Sequence, residues 1–319
     1  MDFVIFILAI AGLIWGADFI IHQSEKIAIK LKIPEFIIGA TLIALGTSLP
    51  EMAASVVATM HNKTDMAISN VIGSNILNIS LVLALIFIVT NNIKPHRDFF
   101  AKDTTWALVP VMLFILMGID GHIGMWDGIL LIILMFAYIL FLIRESGEIG
   151  VEEIEHPNNS DNFNWIKTIS LLIVGFILVI AGAHFTVESA SAIARSFNVS
   201  EWIIGIVLIS FGTSMPELVI SVSAALKGKA DMAIGNIIGS NLANITMVIG
   251  LSALIKDLPI DLTNKLIIFN VATMVVATIM LIYITANKLY TKPAGISLLI
   301  LLGIFLKETI RYMLTSSVG

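Results

Sequence analysis

Two glutamates stand out because each of them interrupts a strongly apolar stretch of the chain. Glu51 follows Pro50 and Glu217 follows Pro216, and both end the motif Gly-Thr-Ser-x-Pro-Glu. A carboxylate within a membrane helix costs about 3 kcal/mol on insertion scales. Carboxylate oxygens are hard ligands that suit Ca²⁺ or Na⁺ better than soft metals. The pair of glutamates therefore indicates that the chain handles cations.

The motif lies in a passage that occurs twice. Residues 36–83 (the first copy) and 202–249 (the second copy) align without a gap at an offset of 166, with 26 of 48 positions identical. In both copies two hydroxyl residues precede the glutamate by three and four positions, so that the three side chains can share one helix face. Proline also removes a backbone donor and frees carbonyls in the preceding turn. The hydroxyl residues are Thr47 and Ser48 in the first copy and Thr213 and Ser214 in the second.

A second polar stripe follows each motif. Three polar residues recur four positions apart on an otherwise apolar segment, with a glycine beside them that allows close helix packing. We expect these stripes to face the glutamates around one site near the middle of the membrane. They comprise Asn70, Ser74 and Asn78 in the first copy and Asn236, Ser240 and Asn244 in the second.

The alternative explanation is that these residues only pack helices together. Small and hydroxyl residues do line membrane helix contacts, and this explanation suffices for any single serine or threonine. It does not suffice for the two glutamates, because no Lys or Arg lies within two helical turns of either one along the chain. Two ionised carboxylates carry two negative charges, which one Ca²⁺, two Na⁺ or two protons would neutralise.

Composition sets the fold class. The 319-residue chain is 58% hydrophobic and 13% charged, with a mean hydropathy of +0.98. Apolar runs of about 20 residues match the thickness of a bilayer as helices, and they are too long for the strands of a barrel. We predict an all-α membrane protein with ten transmembrane helices, near 3–21, 35–60, 66–90, 105–119, 125–143, 166–190, 201–226, 232–255, 265–286 and 295–314. We also predict that Asp65 and Asp231 are the N-caps of the third and eighth helices.

The halves of the chain are predicted to be inverted repeats. An acidic inner linker at 144–165 separates a first five-helix repeat, 1–143, from a second, 166–319. Because five is odd, the second repeat enters the membrane from the opposite face, a common design of secondary transporters. With both termini outside, twelve of the 18 Lys and Arg residues fall on the inner side, as the positive-inside rule favours.

Several classes of function are disfavoured. The chain has no cysteine, which excludes disulfides and thiolate metal sites. Its net charge of −5 is not that of a nucleic-acid-binding protein. An enzyme is not expected, since the chain carries no HExxH motif and no obvious aspartate dyad within the spans.

At these motifs the chain resembles the cation/Ca²⁺ exchanger superfamily, specifically its prokaryotic sodium/calcium exchanger branch. The resemblance covers nearly the whole chain, and Gly46-Thr47-Ser48 with its second-copy equivalent matches the sodium-coupled pattern. It implies an antiporter of the cell inner membrane that exchanges Na⁺ for Ca²⁺ by alternating access and uses no cofactor. In this antiporter, predicted helices 1 and 6 would move against the remaining helices. It implies Ca²⁺ ligation by the carboxylates of Glu51 and Glu217 and the carbonyls of Thr47 and Thr213. It implies Na⁺ ligation by the hydroxyls of Ser48, Ser74, Ser214 and Ser240 and the carbonyls of Ala44 and Ser210, with Asn78 and Asn244 lining the central site.

Two other functions stay open on the sequence alone. A Ca²⁺/H⁺ antiporter could use the same pair of glutamates, with protons as the counter-ion. A cation channel could also hold buried carboxylates, although an inverted repeat with broken helices disfavours an open pore.

Overall fold

A computed structural model describes residues 2–90, 95–148, 163–197 and 212–316 of the chain. Its long elements are helices: α1 Asp2–Leu31, α2 Glu35–Thr47, α3 Leu49–Met60, α4 Thr64–Val89, α5 Phe99–Met117, α6 Met125–Glu148, α7 Trp165–Ser196, α8 Met215–Leu226, α9 Ala230–Ile255, α10 Lys265–Ala286 and α11 Lys292–Ser316. Two short strands, β1 His122–Ile123 and β2 Leu258–Pro259, pair antiparallel.

The helices confirm a multi-pass helical membrane protein. Within the described ranges, eight helices are long and apolar enough to cross a bilayer, or nine when the bent pair α2 and α3 is counted as one span. The predicted span 201–226 includes residues outside those ranges, and α8 is the helix in its described part, 212–226. Ten spans therefore stay a prediction.

The repeated sequence is also a repeat of local structure. The bounds of α3 and α8 differ by 166 residues at both ends, and so do those of α4 and α9. Inside α4 and α9, π-helical segments recur at the same offset, Asn78–Leu83 and Asn244–Ile249. The sequence offset thus carries over to helix ends and to irregular turns.

Helix ends differ from the sequence-based expectation in two ways. α1 continues to Leu31, well beyond the predicted end at residue 21, because hydropathy detects the bilayer and not the polar helical turns that follow it. The N-cap prediction is wrong for Asp65 and Asp231. Lys63 precedes the first residue of α4, and both aspartates lie within the first helical turn, where a negative charge is favoured by the helix dipole.

One compact unit comprises residues 1–50 and 141–239. Its α1 packs along α7 with little space between the backbones: a Cβ added at Gly16 would lie 2.8 Å from the Gly175 carbonyl oxygen, and one at Gly182 would lie 2.9 Å from the Ala9 carbonyl oxygen. In the same unit a Cβ at Gly239 would overlap the backbone of Ala40, so α2 and the start of α9 are in close contact.

The other unit comprises residues 51–140 and 240–319. A core of buried aliphatic and aromatic side chains from α4, α5, α6, α9 and α10 holds it together, including Ile76, Phe114, Leu131, Val248 and Met274. The antiparallel pairing of Ile123 with Leu258 closes one end of this core.

Candidate cation site

Each Gly-Thr-Ser-x-Pro-Glu motif lies at the start of a helix. The backbone of Ser48 has φ −81° and ψ 4°, that of Ser214 has φ −85° and ψ 3°, and a new helix begins at the next residue in each copy. The prolines are the second residues of the new helices, where a backbone N–H has no helical acceptor and its loss costs little. The glutamates come next, in the first turn, where the helix dipole favours an ionised carboxylate.

Both glutamates are buried: Glu51 is 1% exposed and Glu217 is 0% exposed. In the unit that contains Glu217, Ser48 Oγ donates a hydrogen bond of 3.4 Å to Glu217 Oε1. Glu217 Oε2 has no hydrogen-bond partner among the described residues. A buried polar atom left unsatisfied costs about 1–3 kcal/mol, and more when it is charged. This oxygen is therefore suited to bind a cation or a proton.

Thr47 links the two copies within the same unit. Its hydroxyl lies 3.3 Å from Asn236 Oδ1 and 3.1 Å from the carbonyl oxygen of Ala44. Asn236 in turn donates through Nδ2 to Ser221 Oγ at 2.8 Å. The Ala44 carbonyl also accepts the backbone N–H of Ser48 at 3.0 Å. The turn before the break is thus tied to the second-copy stripe.

The equivalent contact exists in the other unit. Asn70 Nδ2 donates to Ser55 Oγ at 3.0 Å and lies 3.5 Å from the main-chain oxygen of Glu51. Ser55 and Ser221 occupy matched positions, four residues after each glutamate. Sequence reasoning missed both serines, although their recurrence in the two copies was a usable signal.

Four asparagines form a reciprocal network in this second unit. Asn78 donates to Asn241 Oδ1 at 3.0 Å, and Asn244 donates to Asn75 Oδ1 at 3.1 Å. Asn78 and Asn244 are 0% exposed and begin the two π-helical segments. Such π-helical turns are frequent at functional sites. Sequence reasoning singled out Asn78 and Asn244 but missed Asn75 and Asn241, whose signal was the doubled Gly-Ser-Asn-x-x-Asn motif.

The remaining predicted ligands have different positions. Ser74, Ser214 and Ser240 are buried. Thr213 is half-buried and lines a cavity of about 800 Å³ beside α7, together with Pro50 and Pro216. Ser210 lies outside the described residues. In the described part of the chain no three His, Asp or Glu side chains cluster as a metal site.

Comparison with known proteins gives one consistent family. The family model described as sodium/calcium exchanger protein matches residues 1–144 and 167–307. An uncharacterized membrane protein of Methanocaldococcus jannaschii is 37% identical over 256 residues, which cover 80% of this chain and 82% of the relative. Sodium/calcium exchanger MaX1 of Methanosarcina acetivorans is 29% identical over 344 residues, covering 96% and 97%. A solved structure of the sodium-calcium exchanger NCX_Mj superposes with a TM-score of 0.80 at 32% identity, covering 97% of this chain and 98% of that one.

Proposed function

Since the chain belongs to the sodium/calcium exchanger family, we propose that it is a secondary antiporter that exchanges Na⁺ for Ca²⁺ across the membrane by alternating access. The observation that carries this proposal is the buried carboxylate that recurs in the first turn of the equivalent helix in both copies, with Glu217 Oε2 lacking a protein donor in the described structure. A transporter of this kind moves ions without covalent chemistry and needs no cofactor.

The transported ions bind to hard oxygen ligands. Ca²⁺ is held by the carboxylates of Glu51 and Glu217 and by the carbonyls of Thr47 and Thr213. Na⁺ is held by the hydroxyls of Ser48, Ser74, Ser214 and Ser240 and by the carbonyls of Ala44 and Ser210, and Asn78 and Asn244 line the centre. The burial of both glutamates, of Thr47, Ser48, Ser74, Ser214 and Ser240, and of Asn78 and Asn244 supports this assignment, as does the hard character of their oxygens.

Charge balance explains why the ions compete. The two carboxylates supply two negative charges, which one Ca²⁺ or two Na⁺ neutralise, so that either load satisfies the site. Leaving both carboxylates ionised and unliganded in a dry site costs far more than either load. The protein therefore changes conformation readily when loaded and poorly when empty, which couples the two fluxes.

The chain is organised as ten spans in two inverted five-helix repeats, residues 1–143 and 166–319, joined by an inner linker at 144–165. Both termini lie on the extracytoplasmic side of the cell inner membrane. The recurrence of helix bounds at the 166-residue offset supports two equivalent repeats. In the transport cycle α1 and α7, which correspond to predicted helices 1 and 6, slide as a pair against the remaining helices. The close glycine contacts between α1 and α7 support their movement as a pair.

Flux in proteoliposomes tests the counter-ion. We expect uptake of isotope-labelled Ca²⁺ to follow an outward Na⁺ gradient and to persist when the pH and K⁺ gradients are abolished. Uptake that follows a pH gradient and ignores Na⁺ would instead identify a Ca²⁺/H⁺ antiporter, and uptake without any counter-ion would identify a channel.

Substitution of the glutamates tests the site. Glu51→Gln and Glu217→Gln each keep the side-chain shape but remove a negative charge, and each is expected to abolish Ca²⁺ flux while the protein stays folded. Glu308→Gln is the matched control, because Glu308 lies on α11 and pairs with Arg311 at 3.4 Å. Wild-type flux in either site variant would contradict the assignment.

A further inference from the structure

We propose that Asn75 and Asn241 are positioning residues for ion binding: they hold the amides of Asn78 and Asn244 so that the oxygen atoms, and not the NH₂ groups, are presented to the transported cation. The inference rests on the proposed function, because it takes Asn78 and Asn244 as part of the cation site. It adds two residues with a specific, separable role.

The main chain sets the orientation of the first pair of amides. Asn75 Nδ2 donates to the main-chain oxygen of Asn241 at 3.2 Å, and Asn241 Nδ2 donates to the main-chain oxygen of Asn75 at 3.2 Å. A carbonyl oxygen can only accept, so each side chain must turn its NH₂ group toward it. The oxygen of each amide therefore faces the other way.

The first pair then orients the second. Oδ1 of Asn75 accepts from Nδ2 of Asn244 at 3.1 Å, and Oδ1 of Asn241 accepts from Nδ2 of Asn78 at 3.0 Å. Because an amide oxygen carries no proton, only the NH₂ group of Asn78 or Asn244 can face it. Each amide orientation in the network thus follows from a fixed backbone carbonyl.

Two oxygens remain at the end of these two chains of hydrogen bonds. Oδ1 of Asn78 and Oδ1 of Asn244 are buried and have no hydrogen-bond partner among the described residues. A network that served only packing would satisfy its buried acceptors. Two matched, buried amide oxygens without donors instead provide the neutral hard ligands that Na⁺ and Ca²⁺ prefer.

The orientation decides the sign of the interaction. An amide that presents its oxygen attracts a cation, whereas the same amide rotated by half a turn presents two N–H donors and repels it. Residues that orient a metal ligand typically change affinity about 10–100-fold when they are substituted. Asn75 and Asn241 therefore contribute to affinity without touching the ion.

Leucine substitutions test the role, because leucine has nearly the shape of asparagine and no hydrogen-bonding atoms. Asn75→Leu and Asn241→Leu are each expected to raise the Na⁺ concentration for half-maximal Ca²⁺ exchange at least about tenfold. Thr246→Val is the matched control: this buried hydroxyl lies in the same π-helical segment as Asn244 and donates to the Leu242 carbonyl of its own helix at 2.7 Å. We expect the control to retain wild-type Na⁺ affinity.

A crossed double-mutant cycle separates positioning from general damage. Asn75 orients Asn244, so Asn75→Leu should add little further loss in an Asn244→Ala background. Asn78 is oriented by Asn241, so the effects of Asn75→Leu and Asn78→Ala should multiply. Equal coupling to both partners, or wild-type affinity in both leucine variants, would overturn the inference.

The ligand variants distinguish this failure from failure of the proposed site. If Asn78→Ala and Asn244→Ala lower Na⁺ affinity while the leucine variants do not, the site stands and the positioning role is wrong. If the alanine variants exchange ions like the wild-type protein, the two amides are not part of the site, and the inference fails with that part of the proposed function.

Discussion

At the scale of single residues, sequence reasoning identified atoms but not their partners. Glu51 and Glu217 were detectable because a carboxylate after proline in an apolar stretch is rare, and the second copy removed the element of chance. The doubled Gly-Ser-Asn-x-x-Asn motif marks Asn75 and Asn241 as candidates, but it does not reveal their role, because their partners are main-chain carbonyls 166 positions away in sequence. No side-chain pattern encodes a contact to a distant backbone.

Lys229 forms a partly buried ion pair with two glutamates. Its ammonium lies 2.5 Å from Glu25 and 2.7 Å from Glu35, with side chains only 23–29% exposed. Burial alone would lower the pKa of Lys229, but the hydrogen bonds to both glutamates outweigh it and raise the pKa above its ordinary value. Lys229→Met should therefore lower the apparent melting temperature in detergent.

The pH dependence follows from the direction of that shift. A raised pKa in the folded state means that the stabilisation is complete below the ordinary lysine value of about 10.4 and is lost only as the pH rises further. The difference in melting temperature between Lys229→Met and the wild-type protein should thus be constant from neutral pH to about pH 9. Lys227→Met is the control, since the Lys227–Asp18 pair is 43% and 47% exposed and should contribute less. A larger fall in melting temperature for Lys227→Met than for Lys229→Met would contradict this prediction.

At the scale of elements, hydropathy located the spans but not their breaks and ends. The Ser-x-x-Glu spacing at Ser48 and Ser214 has the form of a capping box, which marks the start of a helix. In the structure Ser214 makes no side-chain capping bond, and Ser48 bonds to the glutamate of the other copy. The motif therefore starts a helix as the local pattern indicates, while the hydroxyl of Ser48 bonds to a distant residue instead of capping that helix.

Gly239 lies where α9 comes closest to the backbone of α2. A methyl group there would overlap main-chain atoms of Ala40, which cannot rotate away as a side chain could. Gly239→Ala should push α2 away from α9, destabilise the protein by about 1–3 kcal/mol and reduce Ca²⁺ flux. Melting in detergent and flux in proteoliposomes measure the two effects.

Gly303→Ala is the matched control for this substitution. Gly303 is exposed on α11, and a Cβ there meets nothing within 4 Å in the described structure. Both substitutions gain about the same helix propensity. The difference in stability between the two variants therefore measures the cost of the overlap with Ala40. Equal stability of the two variants would show that α2 and α9 do not need to approach so closely.

Across the whole molecule, the repeat in the sequence recurs in the local structure of the described residues. Helix bounds and π-helical turns of the described residues recur at the offset of 166, because similar sequences in similar surroundings adopt similar backbones. The opposed insertion of the two halves rests on counting spans, and one of those spans lies partly outside the described residues. The opposed insertion is therefore a proposal that depends on each half having an odd number of spans.

Single cysteines test the opposed insertion. The chain contains no cysteine, so His61→Cys and Lys227→Cys each introduce a unique thiol at matched, exposed positions 166 residues apart. An impermeant thiol reagent applied to intact cells should label position 61 and reach position 227 only after the membrane is opened. Labelling of both from the same side would show that the halves are parallel.

The reciprocal asparagine bonds also have a consequence for chain connectivity. Asn75 and Asn241 are equivalent positions, and each donates to the main chain of the other. Such bonds need the two segments to meet in space, but they do not need a covalent link between them. Residues 1–148 and 163–319, produced as two polypeptides, should accordingly reassemble and restore Ca²⁺ flux in vesicles only when both are present.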